Sequence, residues 1–264
     1  MARSGKPAMA AALVLTTVSS GALAGCESTF DQNARAKLVA QRDIGTRTTP
    51  VVEERTGEVR VDAVALLRDK QSTAVVVDLH SEAGKVLTDV PITVGVVRDG
   101  EKIVLNASEE VEWFGKHLPS LAPGAKATWV FRSPPGRGGK PGDEPFVRIG
   151  PPRTPPISTA SSLPALRVAV APSADAPEPT TPGQVTDPRR PVAPGTVRVS
   201  IANGSVPQLR LPVFVVARDG DEIVAAGVGT LEELPRDTTQ SLDVPVTGDP
   251  AAPAQAYATP TIFE

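Results

Sequence analysis

"VVRDGEKIV" spans Val96 to Val104 and "VARDGDEIV" spans Val216 to Val224; six of the nine positions are identical, and the two Asp-Gly pairs stand 120 residues apart. A tight hairpin needs positive φ, which Gly supplies without a steric penalty, so Asp-Gly between apolar runs predicts a hairpin at both places. Around each pair the apolar residues recur at every second position. Val59, Val61, Ala63, Ala65 and Leu67 alternate in one segment, Val75, Val77 and Leu79 in the next, and Ile92, Val94 and Val96 in a third. That period is the mark of half-buried strands. "EKIVLNA" returns as the hairpin partner, and "ATWVF" closes the set with Trp129 and Phe131 on one side. The order then repeats in "ALRVAVA", "GTVRVSIAN", "LPVFVVARDGDEIVAAG" and "TTQSLDVPV". Pro91 and Pro212 each open the first strand of a hairpin, where a missing N–H is tolerated.

The pattern predicts an all-β chain of two tandem, small, antiparallel immunoglobulin-like β-sandwiches, residues 56–132 and 163–248. The 28 prolines are about twice the usual share of roughly 5%, so part of the chain is extended connection. Residues 133–162, with "PPRTPP", read as a semi-stiff Pro/Gly-rich linker, because such a segment buries too little apolar surface to offset its ordering entropy. A second Pro-rich insert, residues 171–195, falls between the first two strands of the second copy and is either a functional loop or disordered. Residues 249–264 read as a C-terminal tail.

The first 25 residues read as a signal peptide. Arg3 and Lys6 precede an apolar run too short and too interrupted by Ser and Thr to span a membrane. The run ends in Leu23-Ala24-Gly25-Cys26, which resembles a bacterial lipobox, in which the cysteine is acylated and becomes the first mature residue. Cys26 is also the only cysteine, so no disulfide can form within the chain. The alternative is a plain secretory signal cleaved after "ALA". The lipobox resemblance implies two or three acyl chains on Cys26, and two suffice for lasting attachment. The expected location is therefore extracytoplasmic, lipid-anchored at the cell membrane or outer envelope. Residues 26–55 make up the anchor, a short helix in "STFDQNARAKLVAQRDIG" with Phe30, Ala34 and Leu38 on one stripe, and a spacer. That helix either meets a partner or membrane surface, or docks on its own first domain.

The strand ending in "HSEAG" or "IANGS", then V-x-V-x-V-x-R-D-G-x-x-I-V, then "LAPG", then an aromatic strand, resembles the FxLYD and CARDB-like sandwich modules of secreted bacterial proteins. The resemblance covers about 75 residues per copy, and the second copy has "LPRDTT" where the first has "LAPG". It implies the fold more than any activity.

The chain carries few parts that catalysis needs. It has two histidines, His80 and His117, and neither a Gly-x-Ser-x-Gly elbow nor a His-Glu-x-x-His. "GRGGKPG" is not a phosphate loop, since Pro141 follows Lys140 where Ser or Thr is required. Asp219, Asp221 and Glu222 are explained by turn geometry, and the matching tip of the first copy puts Lys102 among the acids. Glu109, Glu110 and Glu112 read as a solvated edge. No catalytic residue, metal site or cofactor is expected. A net charge of −3 without a basic face argues against nucleic acid.

One asymmetry stands out. The first copy carries eight extra residues around "VEWFGKHLPSL", bringing Trp113, Phe114 and His117 onto one connection. Aromatic anchors dominate interface energetics, so these three are the candidate partner-binding residues; otherwise one of the rings caps the first sandwich or packs against its neighbour. The expected function is non-catalytic: a membrane-anchored protein that binds or spaces an envelope protein of unknown identity. The alternative is a small-ligand-binding lipoprotein serving a transporter or sensor, with its site in the cleft between the sandwiches. Oligomeric state is not legible.

Overall fold

The computed structural model describes residues 56–70, 72–133, 138–153, 163–171, 192 and 194–261. Cys26, the expected helix, and nearly all of the 171–195 insert lie outside the described residues. The described chain is all-β and antiparallel. Its strands are β1 (Val59–Arg68), β2 (Thr73–Ser81), β3 (Leu87–Arg98), β4 (Glu101–Val104), β5 (His117–Leu121), β6 (Lys126–Ser133) and β7 (Glu144–Ile149) in the first half. The second half holds β8 (Leu166–Val170), β9 (Thr196–Asn203), β10 (Gln208–Asp219), β11 (Glu222–Leu234), β12 (Thr238–Gly248) and β13 (Ala254–Ala258).

One sheet of the first half runs β1-β2-β6; in the other, β3 is flanked by β4 and β5 in succession, and also pairs with β7. The second half is a six-stranded sheet of order β13-β10-β11-β12-β9-β8. β12 is its fold line. It pairs with β9 through Thr238–Pro245 and with β11 only through Val246–Gly248, so β8-β9-β12 lies across β11-β10-β13. Val199, Ile201 and Val244 from one side meet Leu211, Val213 and Val215 from the other. The pairings follow one scheme in both halves: β1-β2-β6 answers to β8-β9-β12, and β3 with β4 and β7 answers to β10 with β11 and β13. Val97 pairs with Glu144, and Ala217, 120 residues on, pairs with Ala254.

Two expectations need correction. β7 lies inside the segment read as linker, and β13 inside the segment read as tail. In β7, Val147 and Ile149 alternate with Phe146 and Arg148, and the inward pair joins the first core. That short period is enough to hold a strand against β3 despite the prolines around it. The second correction concerns burial. Half-buried strands were expected, yet β2 and β10 are buried on both faces. Ala74, Val75, Val76 and Val77 are all fully buried. Along β10, Leu211, Val213, Val215 and Ala217 face the second core, while Phe214 and Val216 pack into the first. Continuous apolar runs such as "AVVV" and "VFVVA" suit a strand covered on both sides.

The two halves therefore share a seam. Val76 and Val130 are cross-strand partners on the side of β2 and β6 away from Trp129, and they belong to the same cluster as Phe214, Val216 and Ala226. Polar groups close its margins: Arg218 donates to Asp78 at 2.8 Å, Thr128 donates to the other oxygen of Asp78 at 2.7 Å, and the Ser72 and Thr247 hydroxyls meet at 2.6 Å.

The repeated letters do not make identical turns. In the first hairpin Asp99 and Gly100 both take positive φ, 51° and 82°. In the second the loop is Gly220-Asp221, only Gly220 is positive at 60°, and the register shifts between Ala217 and Arg218. Asp221 is itself a good turn residue where the first copy has Glu101, which lets the tip move one place along.

Candidate functional site

The extra connection of the first half folds down as a single 3₁₀ turn, Trp113–Gly115, between β4 and β5. The candidate binding residues do not form an open patch. Phe114 is 7% exposed and His117 5%, and Trp113 is half-buried. Adjacent residues point in opposed directions, so Phe114 turns inward while Trp113 lies over His117, their rings 5.1 Å apart and 13° from parallel. The turn is pinned from inside. Its Phe114 carbonyl accepts a hydrogen bond from Trp129 Nε1 at 2.9 Å, and Asn106 donates to the Gly115 carbonyl at 2.9 Å.

β3 and β10 supply the other partners. His117 Nδ1 lies 3.1 Å from the Trp113 carbonyl oxygen, which makes Nδ1–H the donor. Its Nε2 is 3.6 Å from Asp89 Oδ1, and the other Asp89 oxygen is 3.1 Å from Arg153 Nε. Asp89 Oδ1 is buried and makes no hydrogen bond among the described residues. Burial pushes the His117 imidazole below its ordinary 6.5; Asp89 and the Trp113 carbonyl oppose that shift, and Lys116 and Arg153 reinforce it. Burial also pushes the Asp89 carboxyl above its ordinary 3.8, against the pull of His117, Arg153 and Trp113. On the far side of the turn, the Arg210 guanidinium sits 5.3 Å from the Phe114 ring centre and pairs with Glu112 at 2.9 Å.

Beside this turn a cleft of ≈ 290 Å³ opens between the halves, lined by Leu105, Val111, Phe114, Phe131 and Arg132 of the first half and by Val228 and Thr230 of the second. It sits at the small end of the range for ligand pockets.

Asp89, Arg153 and Arg210 were not singled out from sequence. Nothing in their type marks them; the usable signal is that Trp113 and His117 are four residues apart, a spacing that brings rings together on a tight turn. The remaining candidates lie apart from this site. His80 meets Arg60 at 2.7 Å at the end of β2, and Asp219, Asp221 and Glu222 are exposed at their hairpin tip. Among the described residues no three or more His, Cys, Asp or Glu side chains gather as metal ligands would, and no helix is long and apolar enough to cross a membrane. The chain matches no family model and no curated protein.

Proposed function

We propose that this chain is a lipid-anchored, extracytoplasmic protein that holds or spaces protein partners in a bacterial cell envelope, and that it does no catalysis. The observation that carries the reading is Leu23-Ala24-Gly25-Cys26 at the end of an apolar leader in a chain with no other cysteine. The duplicated β-sandwich organisation supports it, as does the recurrence of one strand-pairing scheme in both halves. A seam built on apolar residues and ion pairs suits a stiff body that keeps two surfaces at a fixed separation. Replacing Cys26 by Ser tests the anchor: the protein leaves the membrane fraction or accumulates as uncleaved precursor. A variant still processed and still membrane-bound overturns it. Crosslinking in cells then reads the partner.

The cleft at Phe114 and Val228 favours a second reading, a small-ligand-binding lipoprotein serving a transporter or sensor. Filling it by Val228→Trp separates the two: ligand capture is lost in the second reading, whereas partner crosslinks persist in the first.

A further inference from the structure

We propose that the outer edge of β11, at Thr230 and Glu232, takes an extended, basic segment of a partner protein as an added strand. This deepens the partner-holding reading and rests on it for its purpose, and it places the contact away from the inward-folded aromatic turn.

The ladders carry the argument. β10 runs beside β11 from Gln208 to Asp219, but β12 pairs with β11 only from Val246 to Gly248 and lies against β9 for the rest of its length. From Val228 to Leu234, therefore, β11 has a strand on one side alone among the described residues. The groups that face the empty side can be named. Val246 gives its N–H to the Gly195 carbonyl and not to Gly227, so the bonded pair of the short ladder is Ala226 with Thr247. Two, four and six residues on, Val228, Thr230 and Glu232 turn their N–H and C=O the same way. Pro212, opposite Thr230, has no N–H to offer from the other side.

The first half closes the matching edge. Pro91 pairs with His117 and Leu87 with Leu121, as Pro212 pairs with Thr230 and Gln208 with Leu234. By that register Pro119 of β5 stands where β11 has Glu232. A proline at an edge removes a donor and bars an incoming strand. One half carries this guard and the other does not. Glu232 is exposed and Glu233 follows it, while the nearby cations are engaged, Arg210 by Glu112 and Arg236 by Asp237. A row of main-chain donors and acceptors selects a polypeptide in extended form, and the acids select Lys or Arg opposite Glu232. Side chains stand perpendicular to the sheet, so filling the cleft at Val228 leaves this edge open.

The probe is a phage-displayed library of random short peptides, panned on the full-length chain. Enriched peptides should carry Lys or Arg, and should bind Glu232→Pro roughly ten-fold or more weakly, since this variant copies the guard of the first half without taking a bond from β10. Glu232→Lys should weaken them roughly three-fold or more. Methylating alternate backbone nitrogens of a winning peptide should abolish binding when they belong to one of its edges and spare it when they belong to the other. No enrichment, undiminished binding to either variant, or equal binding of the two methylated forms overturns the proposal; the methylated pair decides alone if Glu232→Pro does not fold. A wild-type dimer that Glu232→Pro splits into monomers overturns it too, giving the edge to a second copy. Crosslinking in cells separates this claim from the one beneath it. Envelope crosslinks that persist in Glu232→Pro strike the edge and leave the partner-holding reading, whereas an edge that binds peptides in a chain with no envelope crosslinks stands while that reading falls.

Discussion

Asp89 and Arg210 hold one position in two strands: each stands two residues before a proline, Pro91 or Pro212, and each carries a positive φ, 52° and 50°. Both side chains reach the same short stretch from opposite halves. Asp89 faces His117, and Arg210 meets Glu112 and lies against Phe114. Non-glycine residues in this region are held at a cost of order 1–3 kcal/mol, which the surrounding contacts must supply.

The Arg210 side of this arrangement can be dissected by chemical denaturation. Glu112 is largely exposed, so Glu112→Ala should cost no more than about 1 kcal/mol. Arg210→Ala should cost more, about 1–2 kcal/mol, because it also strips the cover from the Phe114 ring. Equal losses for the two substitutions would mean that the ring contact contributes nothing.

Phe114 and Trp113 should separate in the same assay. Phe114→Ala empties a buried site and is expected to cost about 3–5 kcal/mol, whereas Trp113→Ala, at a half-buried position, should cost well under half of that. The reverse order would place Trp113 in the core.

Because Phe214 and Val216 belong to the first core while their neighbours line the second, the halves should unfold together. Phe214→Ala is expected to lower stability by about 3–5 kcal/mol and to shift a single transition seen by both tryptophan emission and far-ultraviolet circular dichroism. Two separated transitions would show that the seam does not couple them.

Arg198 is 3% exposed and grips Asp243 with two bonds, 2.7 and 2.9 Å. Removing only the carboxylate takes two charge-assisted bonds from a buried guanidinium, so Asp243→Ala should cost about 1–3 kcal/mol, while Arg198→Met with Asp243→Leu should recover most of it. Thermal melts of the three variants give the comparison.

Asp143 supplies an acid-side prediction. Its bonds from Arg98 and from the Lys140 backbone hold the carboxyl down to about 2. A depressed carboxylate contributes stability above its ordinary 3.8 that is lost as pH falls toward 2. Asp143→Asn should therefore flatten the wild-type loss of stability over that window, read from denaturation midpoints at stepped pH.

The hairpins and the alternating strands were legible because turn residues and period two are local properties. β13 was not: "AQAYA" has no β-branched residue, and its place beside β10 is decided by pairing with a distant strand. β7 hid among prolines for a related reason, since six residues of alternation carry little weight beside nine prolines counted over the longer stretch 133–164. The inward turn of Phe114 followed from the alternation of neighbours, but which of the two aromatics would go inward depended on Trp129, Phe131 and Arg210, residues remote in sequence.

A strand that closes two cores at once cannot be lent to another protein. β10 exported with its own sandwich would present Phe214 and Val216 to water, and the first half without it would expose Val76 and Val130. Sandwich modules that are strung like beads can be shuffled, inserted or lost one at a time. Here the two halves are welded, so any recombination that keeps one half and discards the other delivers a sticky fragment in place of a smaller working protein.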